Sequence, residues 1–260
     1  FNVQRTLPHK FTQSGPGIAV GDLNNDGLED IVLGGSTGYR FTTILQKAGG
    51  GFSMSAPLRD PNKVEEDEGL LLFDADNDND LDLYVVSGSI EHFDNARPYQ
   101  DRLYKNNGKG AFSLDVEALP GINASGSCVR AADFDRDGDL DLFVGGRVVP
   151  AKYPLPSQSY LLRNDNGKFV DATAEVSPAL QHAGMITDAL WSDFDDDNQV
   201  DLIVVGEFTP IMFFKNTGNG LTRHSVATDK LTGWWNSLTA ADYDLDGDTD
   251  YVVGNLGLNN

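Results

Sequence analysis

Only one cysteine, Cys128, occurs in 260 residues, so no internal disulfide can brace the chain. It sits in an apolar stretch and is expected to be a buried structural thiol. No apolar run approaches the roughly 18 residues of a membrane-spanning helix. Basic residues are scarce: 19 Lys and Arg face 40 Asp and Glu, for a formal charge of −21. That balance argues against sequence-independent binding to nucleic acid or to anionic membranes, both of which need basic patches. The four histidines, His9, His92, His182 and His224, lie far apart without metal-ligand spacing. No phosphate loop occurs. Glu91, His92 and Asp94 cluster as acid–base candidates, in a segment that reads as a solvated loop. No export signal is visible, since Phe1-Asn2-Val3-Gln4-Arg5 looks like folded sequence, and any such signal is expected upstream or already removed.

What the chain has in excess is aspartate in a fixed pattern. A nine-residue segment, Asp-x-Asp/Asn-x-Asp-Gly/Asn-x-x-Asp, recurs at residues 22–30, 74–82, 133–141, 193–201 and 242–250. Nineteen of the forty acidic residues stand at its first, third, fifth and ninth positions. Carboxylates so crowded repel one another unless a counter-ion is present. Oxygen donors at alternate positions suit a hard cation, and Ca²⁺ takes six to eight with tolerant geometry, whereas Mg²⁺ holds to a strict octahedron.

The expected ligands are therefore Asp22, Asn24, Asp26 and Asp30; Asp74, Asp76, Asp78 and Asp82; Asp133, Asp135, Asp137 and Asp141; Asp193, Asp195, Asp197 and Asp201; and Asp242, Asp244, Asp246 and Asp250. A backbone carbonyl from position seven (Leu28, Asp80, Asp139, Gln199, Asp248) completes each set, for up to five Ca²⁺. Position six must bend sharply, which suits Gly27, Gly138 and Gly247, and also Asn79 and Asn198. An EF-hand would place a bidentate Glu at position twelve between helices. Here that position holds Leu33, Val85, Val144, Val204 and Val253, so the helical sensor is excluded. The plainer alternative is a set of Asp-rich turns without metal, most credible for the first loop with its three carboxylates.

The loops begin 52, 59, 60 and 49 residues apart, a period that signals a repeat architecture. Each is preceded by a short apolar segment and followed by a β-branched or aromatic run closed by Gly, such as Ile31-Val32-Leu33-Gly34, Leu142-Phe143-Val144-Gly145 or Ile203-Val204-Val205-Gly206. A third strand runs into an Asn/Gly turn, as in Leu103-Tyr104-Lys105-Asn106-Asn107-Gly108, and a fourth opens on Phe52, Phe112 or Phe169. The expected fold is all-β: a β-propeller of four-stranded antiparallel blades with Asp-rich loops between the first two strands. Four complete units and half of a fifth are visible, with residues 1–8 resembling a lone fourth strand. Either that strand closes the last blade, or the chain is one section of a larger ring, for example a seven-bladed one. No linker divides the chain, so residues 1–260 are treated as one propeller domain or section.

Gly15-Pro16-Gly17-Ile18-Ala19-Val20-Gly21-Asp22-Leu23-Asn24-Asn25-Asp26-Gly27, ending in Asp30-Ile31-Val32-Leu33-Gly34-Gly35, resembles the FG-GAP/VCBS repeat of integrin α-subunit propellers and many secreted bacterial proteins. Gln100-Asp101-Arg102-Leu103-Tyr104 and Gly254-Asn255-Leu256-Gly257-Leu258-Asn259 resemble large bacterial FG-GAP proteins related to cartilage acidic protein. The resemblance implies a calcium-bound, exported propeller, at the cell surface, outside the cell or in the periplasm, used for adhesion, binding or scaffolding of protein or glycan ligands. Some polysaccharide lyases resemble this repeat type, so a polysaccharide-active lyase or hydrolase is the competing class. With calcium loops on one face, ligand anchors are expected on the other: Arg97, Tyr99, Arg147, Tyr153, Trp234 and Trp235. The alternative for these is packing between blades, with Arg147 paired to an acid.

Overall fold

A computed structural model describes residues 7, 11, 15–56 and 58–257. Among the described residues, eighteen strands form successive antiparallel sheets. The first sheet contains β1 (Ile18–Gly21), β2 (Asp30–Leu33), β3 (Thr42–Gln46) and β4 (Phe52–Met54). The second contains β5 (Asp67–Phe73), β6 (Asp82–Ser87), β7 (Arg102–Lys105) and β8 (Ser113–Asp115). The third contains β9 (Gly126–Ala132), β10 (Asp141–Gly146), β11 (Tyr160–Asp165) and β12 (Lys168–Asp171). The fourth contains β13 (Met185–Ser192), β14 (Asp201–Pro210), β15 (Met212–Asn216) and β16 (Leu221–His224), and β17 (Thr232–Ala241) and β18 (Asp250–Asn255) follow. Each sheet is a meander in chain order, and each acidic loop joins a first strand to a second, as the repeat pattern predicts.

One element differs from expectation. Gly206 does not end its strand; β14 continues to Pro210 and pairs with β17 through Glu207–Trp234, Thr209–Gly233 and Pro210–Thr232. The fourth blade and the fifth unit thus share hydrogen bonds as well as side-chain packing. The expected strand at residues 1–8 lies outside the described residues except Leu7. That residue and Phe11 are buried beside Val148 and Met185, between the third and fourth blades.

The hydrophobic core lies in the seams. Successive first strands pack in turn, β1 on β5, β5 on β9, β9 on β13 and β13 on β17. Side chains alternate across each second strand, so Leu83 and Val85 fill the seam to the first blade while Tyr84 and Val86 fill the seam to the third. Leu142 and Val144 join Tyr84, whereas Phe143 faces Leu202, Val204 and Phe214 of the fourth blade. Ile203 and Val205 turn the other way, to Leu238 and Val253. A strand buried on both faces needs apolar residues at every position, which is why these runs are continuous rather than alternating. At the two ends of the series Ile18, Val20 and Val252 are more than half exposed.

Near the axis the chains approach closely. A Cβ on Gly17 would lie 2.5 Å from the Glu68 carbonyl oxygen, so only glycine fits. Four first strands share an irregularity that leaves Glu68, Ser127, Thr187 and Asn236 unpaired in the ladder. Two of these side chains reach the next blade: Ser127 Oγ donates to Ile186 O at 2.7 Å, and Thr187 Oγ1 to Trp235 O at 2.8 Å. Replacing Thr187 by Val keeps the shape and removes the bond. We expect a loss of about 1–2 kcal/mol in urea unfolding, and an unchanged midpoint would show that the bridge contributes nothing.

Candidate metal loops and the opposite face

Each acidic loop is built on its own backbone. The position-one carboxylate accepts N–H groups from positions five and six: Asp22 from Asp26 (3.1 Å) and Gly27 (2.8 Å), Asp133 from Asp137 (3.1 Å) and Gly138 (3.1 Å). Position five then accepts the N–H of position seven, as Asp78 does from Asp80 and Asp137 from Asp139, both at 2.9 Å. Such turns hold short acidic side chains in fixed directions. Position six has positive φ throughout, as predicted. Position four does too, at Asn25, Asn77, Arg136, Asp196 and Leu245, which composition did not reveal because Arg and Leu rarely adopt that region.

Carboxylate oxygens from different positions converge to within 4.8 Å of one another in four groups: Asp74, Asp76 and Asp78; Asp133, Asp135 and Asp141; Asp193, Asp195 and Asp197; and Asp242, Asp244 and Asp246. These hard-oxygen sets fit a divalent cation of the calcium type. The first loop forms no such group among the described residues, in keeping with Asn24 at position three. Two groups carry a cation of their own. Lys105 Nζ lies 2.9 Å from Asp76 and 3.1 Å from Asp82. Lys215 Nζ bonds Asp195 and lies 3.1 Å from Asp197; these hydrogen bonds hold its ammonium above the ordinary lysine pKa.

Position nine has a further role. Asp30, Asp82, Asp141 and Asp201 are fully buried. In the third blade one oxygen of Asp141 accepts Phe134 N (3.2 Å), from its own loop, and the other accepts Asn164 N (2.8 Å), from the third strand. Asp201 repeats this with Phe194 N and Asn216 N, and Asp30 with Leu23 N and Gln46 N. Burial pushes the Asp141 carboxyl up to about 7, against the N–H bond from Asn164, and the charge of Asp135 pushes the same way. Burial raises Asp82 and Asp201 as well.

The third-strand asparagines, which the sequence presents as ordinary turn residues, join adjacent blades. Asn164 Nδ2 donates to Ala75 O of the preceding loop (2.9 Å) and to Leu140 O of its own (3.1 Å). Asn106 and Asn216 repeat the pattern on Leu23 O and Phe134 O. Loops also touch directly: Asn25 Nδ2 donates to Asp80 Oδ1 (3.1 Å) and Asn77 Nδ2 to Asp139 Oδ1 (2.6 Å). Position seven therefore contributes its side chain as well as its backbone.

The opposite face corrects part of the anchor set. Tyr99 is fully buried, its hydroxyl donating to His92 O at 3.0 Å, so it ties down its own loop. Arg147 is committed to Glu207 and to Met185 O (3.2 Å), with its guanidinium over the Phe11 ring. Tyr153 packs 5.8 Å from Phe11. Trp235 donates to Thr209 O (2.9 Å) and packs in the seam of the fourth blade. Packing between blades explains Arg147, Tyr153 and Trp235, whereas Tyr99 is consumed within its own loop. Arg97 is exposed and lines a cleft with Glu65, Gln100, Arg102 and Leu114. Trp234 is half-buried against Phe208, which the sequence reading did not single out. The acid–base candidates separate, with His92 Nε2 at Val64 O, Asp94 on Lys152 and Glu91 exposed.

The sequence pattern described as FG-GAP-like repeat matches residues 74–144 and 193–253, which together are half of the chain. The chain belongs to the FG-GAP-like repeat family. It is 27% identical over 272 residues to Cartilage acidic protein 1 of Mus musculus, covering 94% of this chain and 40% of that protein. The Xenopus tropicalis protein of the same name is 26% identical over 204 residues, covering 75% and 29%. The chain thus spans less than half the length of these curated relatives. Among solved structures it matches an Agrocybe aegerita lectin described as recognising non-reducing terminal N-acetylglucosamine, with a TM-score of 0.55 and 17% identity. That match covers 91% of this chain and 59% of the lectin, and it places the fold among β-propellers. Among the described residues no helix is long and apolar enough to cross a membrane.

Two expectations follow. Asn164→Ala removes a buried hydrogen bond to the preceding loop and a part-buried one to its own loop, and should cost about 2–4 kcal/mol in urea unfolding, with a loss under 0.5 kcal/mol refuting the brace. On the opposite face, burial raises the Glu68 carboxyl to about 7, helped by Glu66 and opposed by Arg147. Its folded-state pKa exceeds the unfolded value, so its contribution is fully present below about pH 4.5 and is lost as pH rises through 7. Glu68→Gln should flatten that decline in chelator; a variant whose pH–stability curve keeps the wild-type slope would contradict it.

Proposed function

We propose that this propeller is a calcium-stabilised, extracytoplasmic binding or scaffold module for a protein or glycan ligand. The observation that carries the reading is the convergence of Asp carboxylates in four loops, two of which, 74–82 and 133–141, are anchored to the following blade by Asn164 and Asn216. Bound calcium would supply the positive charge that offsets their mutual repulsion. Asp74, Asp76 and Asp78, and their counterparts in the other groups, would hold it. The buried ninth-position carboxylates and the asparagine braces then transmit loop order to the seams. Because such sites are assembled only in the folded chain, ion affinity becomes folding stability. Weak, millimolar sites would be filled outside the cytoplasm, which supports an exported location.

A non-catalytic role is favoured by the separation of Glu91, His92 and Asp94 and by the commitment of Arg147 and Tyr153 to packing. The similarity to a lectin propeller supports glycans as one ligand class.

Four sites at tenfold their Kd would each add about 1.4 kcal/mol, so Ca²⁺ should raise the Tm by roughly 10–20 °C over chelator. Equal melting curves in EDTA and in millimolar Ca²⁺ would remove the structural role. A screen of glycans and proteins in calcium should yield a ligand without turnover; cleavage of an acidic polysaccharide would instead establish the enzyme.

A further inference from the structure

The acidic loops differ in what already neutralises them. In the second blade Lys105 Nζ lies 2.9 Å from Asp76 and 3.1 Å from Asp82, with its side chain only 20% exposed. A Cβ on Gly167, in the turn of the third blade, would meet that ammonium at 2.9 Å, so the lysine is enclosed between its own loop and the neighbouring blade. It also takes over a bond. The buried carboxylates Asp30, Asp141 and Asp201 each accept the N–H of their loop's second residue, whereas the same oxygen of Asp82 accepts Lys105 Nζ. In the fourth blade Lys215 Nζ bonds Asp195 and lies 3.1 Å from Asp197.

Both lysines stand immediately before the brace asparagine of the third strand, as Lys105-Asn106 and Lys215-Asn216. The third blade has Arg163-Asn164 at that place, and Arg163 Nη1 lies instead 3.7 Å from Glu175, beyond the fourth strand. No lysine or arginine among the described residues forms an ion pair with the groups at 133–141 and 242–250. An ammonium within 3 Å or so of a carboxylate supplies one positive charge and takes up donor oxygens, and it repels a second cation brought to the same loop. Lysine does not fully satisfy its loop, however: Asp76 Oδ1 is buried without a hydrogen-bond partner. A lysine-bearing loop therefore keeps oxygens for a metal ion but offers them at a penalty.

We propose that Lys105 and Lys215 are built-in counter-ions that rank the metal loops. Residues 133–141 and 242–250 take up calcium first, and residues 74–82 and 193–201 only at higher concentration, against the ammonium. This rests on the calcium reading above and adds the regulation of those same sites. The two kinds of loop alternate from the second blade onward, so each seam there joins a lysine-held loop to one that depends on the ion.

The test is a Ca²⁺ titration of the 260-residue protein, read by calorimetry and by Tm. Two tight sites are expected beside two that are about tenfold weaker. Lys105→Met and Lys215→Met should each tighten one weak site about tenfold, while Asp135→Ala should delete a tight one. In chelator Lys105→Met strips buried Asp82 of its counter-charge and should lower the Tm by at least about 5 °C. Calcium should then raise the Tm of this variant further than it raises wild type. If Lys105→Met does not fold, Lys215→Met carries the test, since its ion pairs are about one-third exposed. Four sites of equal affinity, or Lys→Met isotherms that overlay wild type, would overturn the ranking and leave calcium binding standing. A chain that takes up no calcium at all would remove the ranking and the calcium reading together.

Discussion

A buried aspartate carboxylate at the end of four of the five acidic loops is the constraint on which the architecture turns. Asp141 receives one backbone N–H from its own loop and one from its third strand, and Asp30 and Asp201 do the same. A single side chain thereby fixes the loop against its sheet. Burying that charge is costly unless it is hydrogen-bonded and neutralised. The surrounding loop, rich in further carboxylates, is where a cation can meet the requirement. Loop chemistry and sheet geometry are in this sense one problem.

From that point the blades are assembled outward. The third-strand asparagine beside each buried carboxylate reaches back to the preceding loop, so neighbouring blades are joined by directional bonds on the loop face. On the opposite face Ser127 and Thr187 carry hydroxyls across to the next first strand. Between these two rows lie the apolar seams, filled from both sides by alternate residues of β6, β10 and β14. Nearest-neighbour contacts dominate, as repeat architectures require.

Most of the fold was legible because periodic features repeat: five acidic loops, each with a continuous apolar strand behind it. Repetition turns a weak local pattern into a strong one. What escaped notice depends on partners distant in sequence. Asn164 looks like a turn residue until Ala75, 89 positions away, is seen to accept its amide proton. Arg136 and Leu245 give no hint of positive φ, since their conformation is imposed by the loop. Tyr99 and Arg147 have the composition of binding anchors but are consumed by His92 and Glu207. Phe208 was overlooked because it extends an apolar strand whose end Gly206 seemed to mark; only the pairing with β17 exposes it.

The central claim is that clustered aspartates take up divalent ions and so hold successive sheets together. Equilibrium dialysis against millimolar Ca²⁺ with Mg²⁺ in excess, followed by elemental counting of metal per chain, addresses it most directly. The four convergent groups predict four calcium ions per chain, with a fifth in the first loop only if Asn24 serves as a ligand. A chain that emerges folded and free of bound metal would contradict the account.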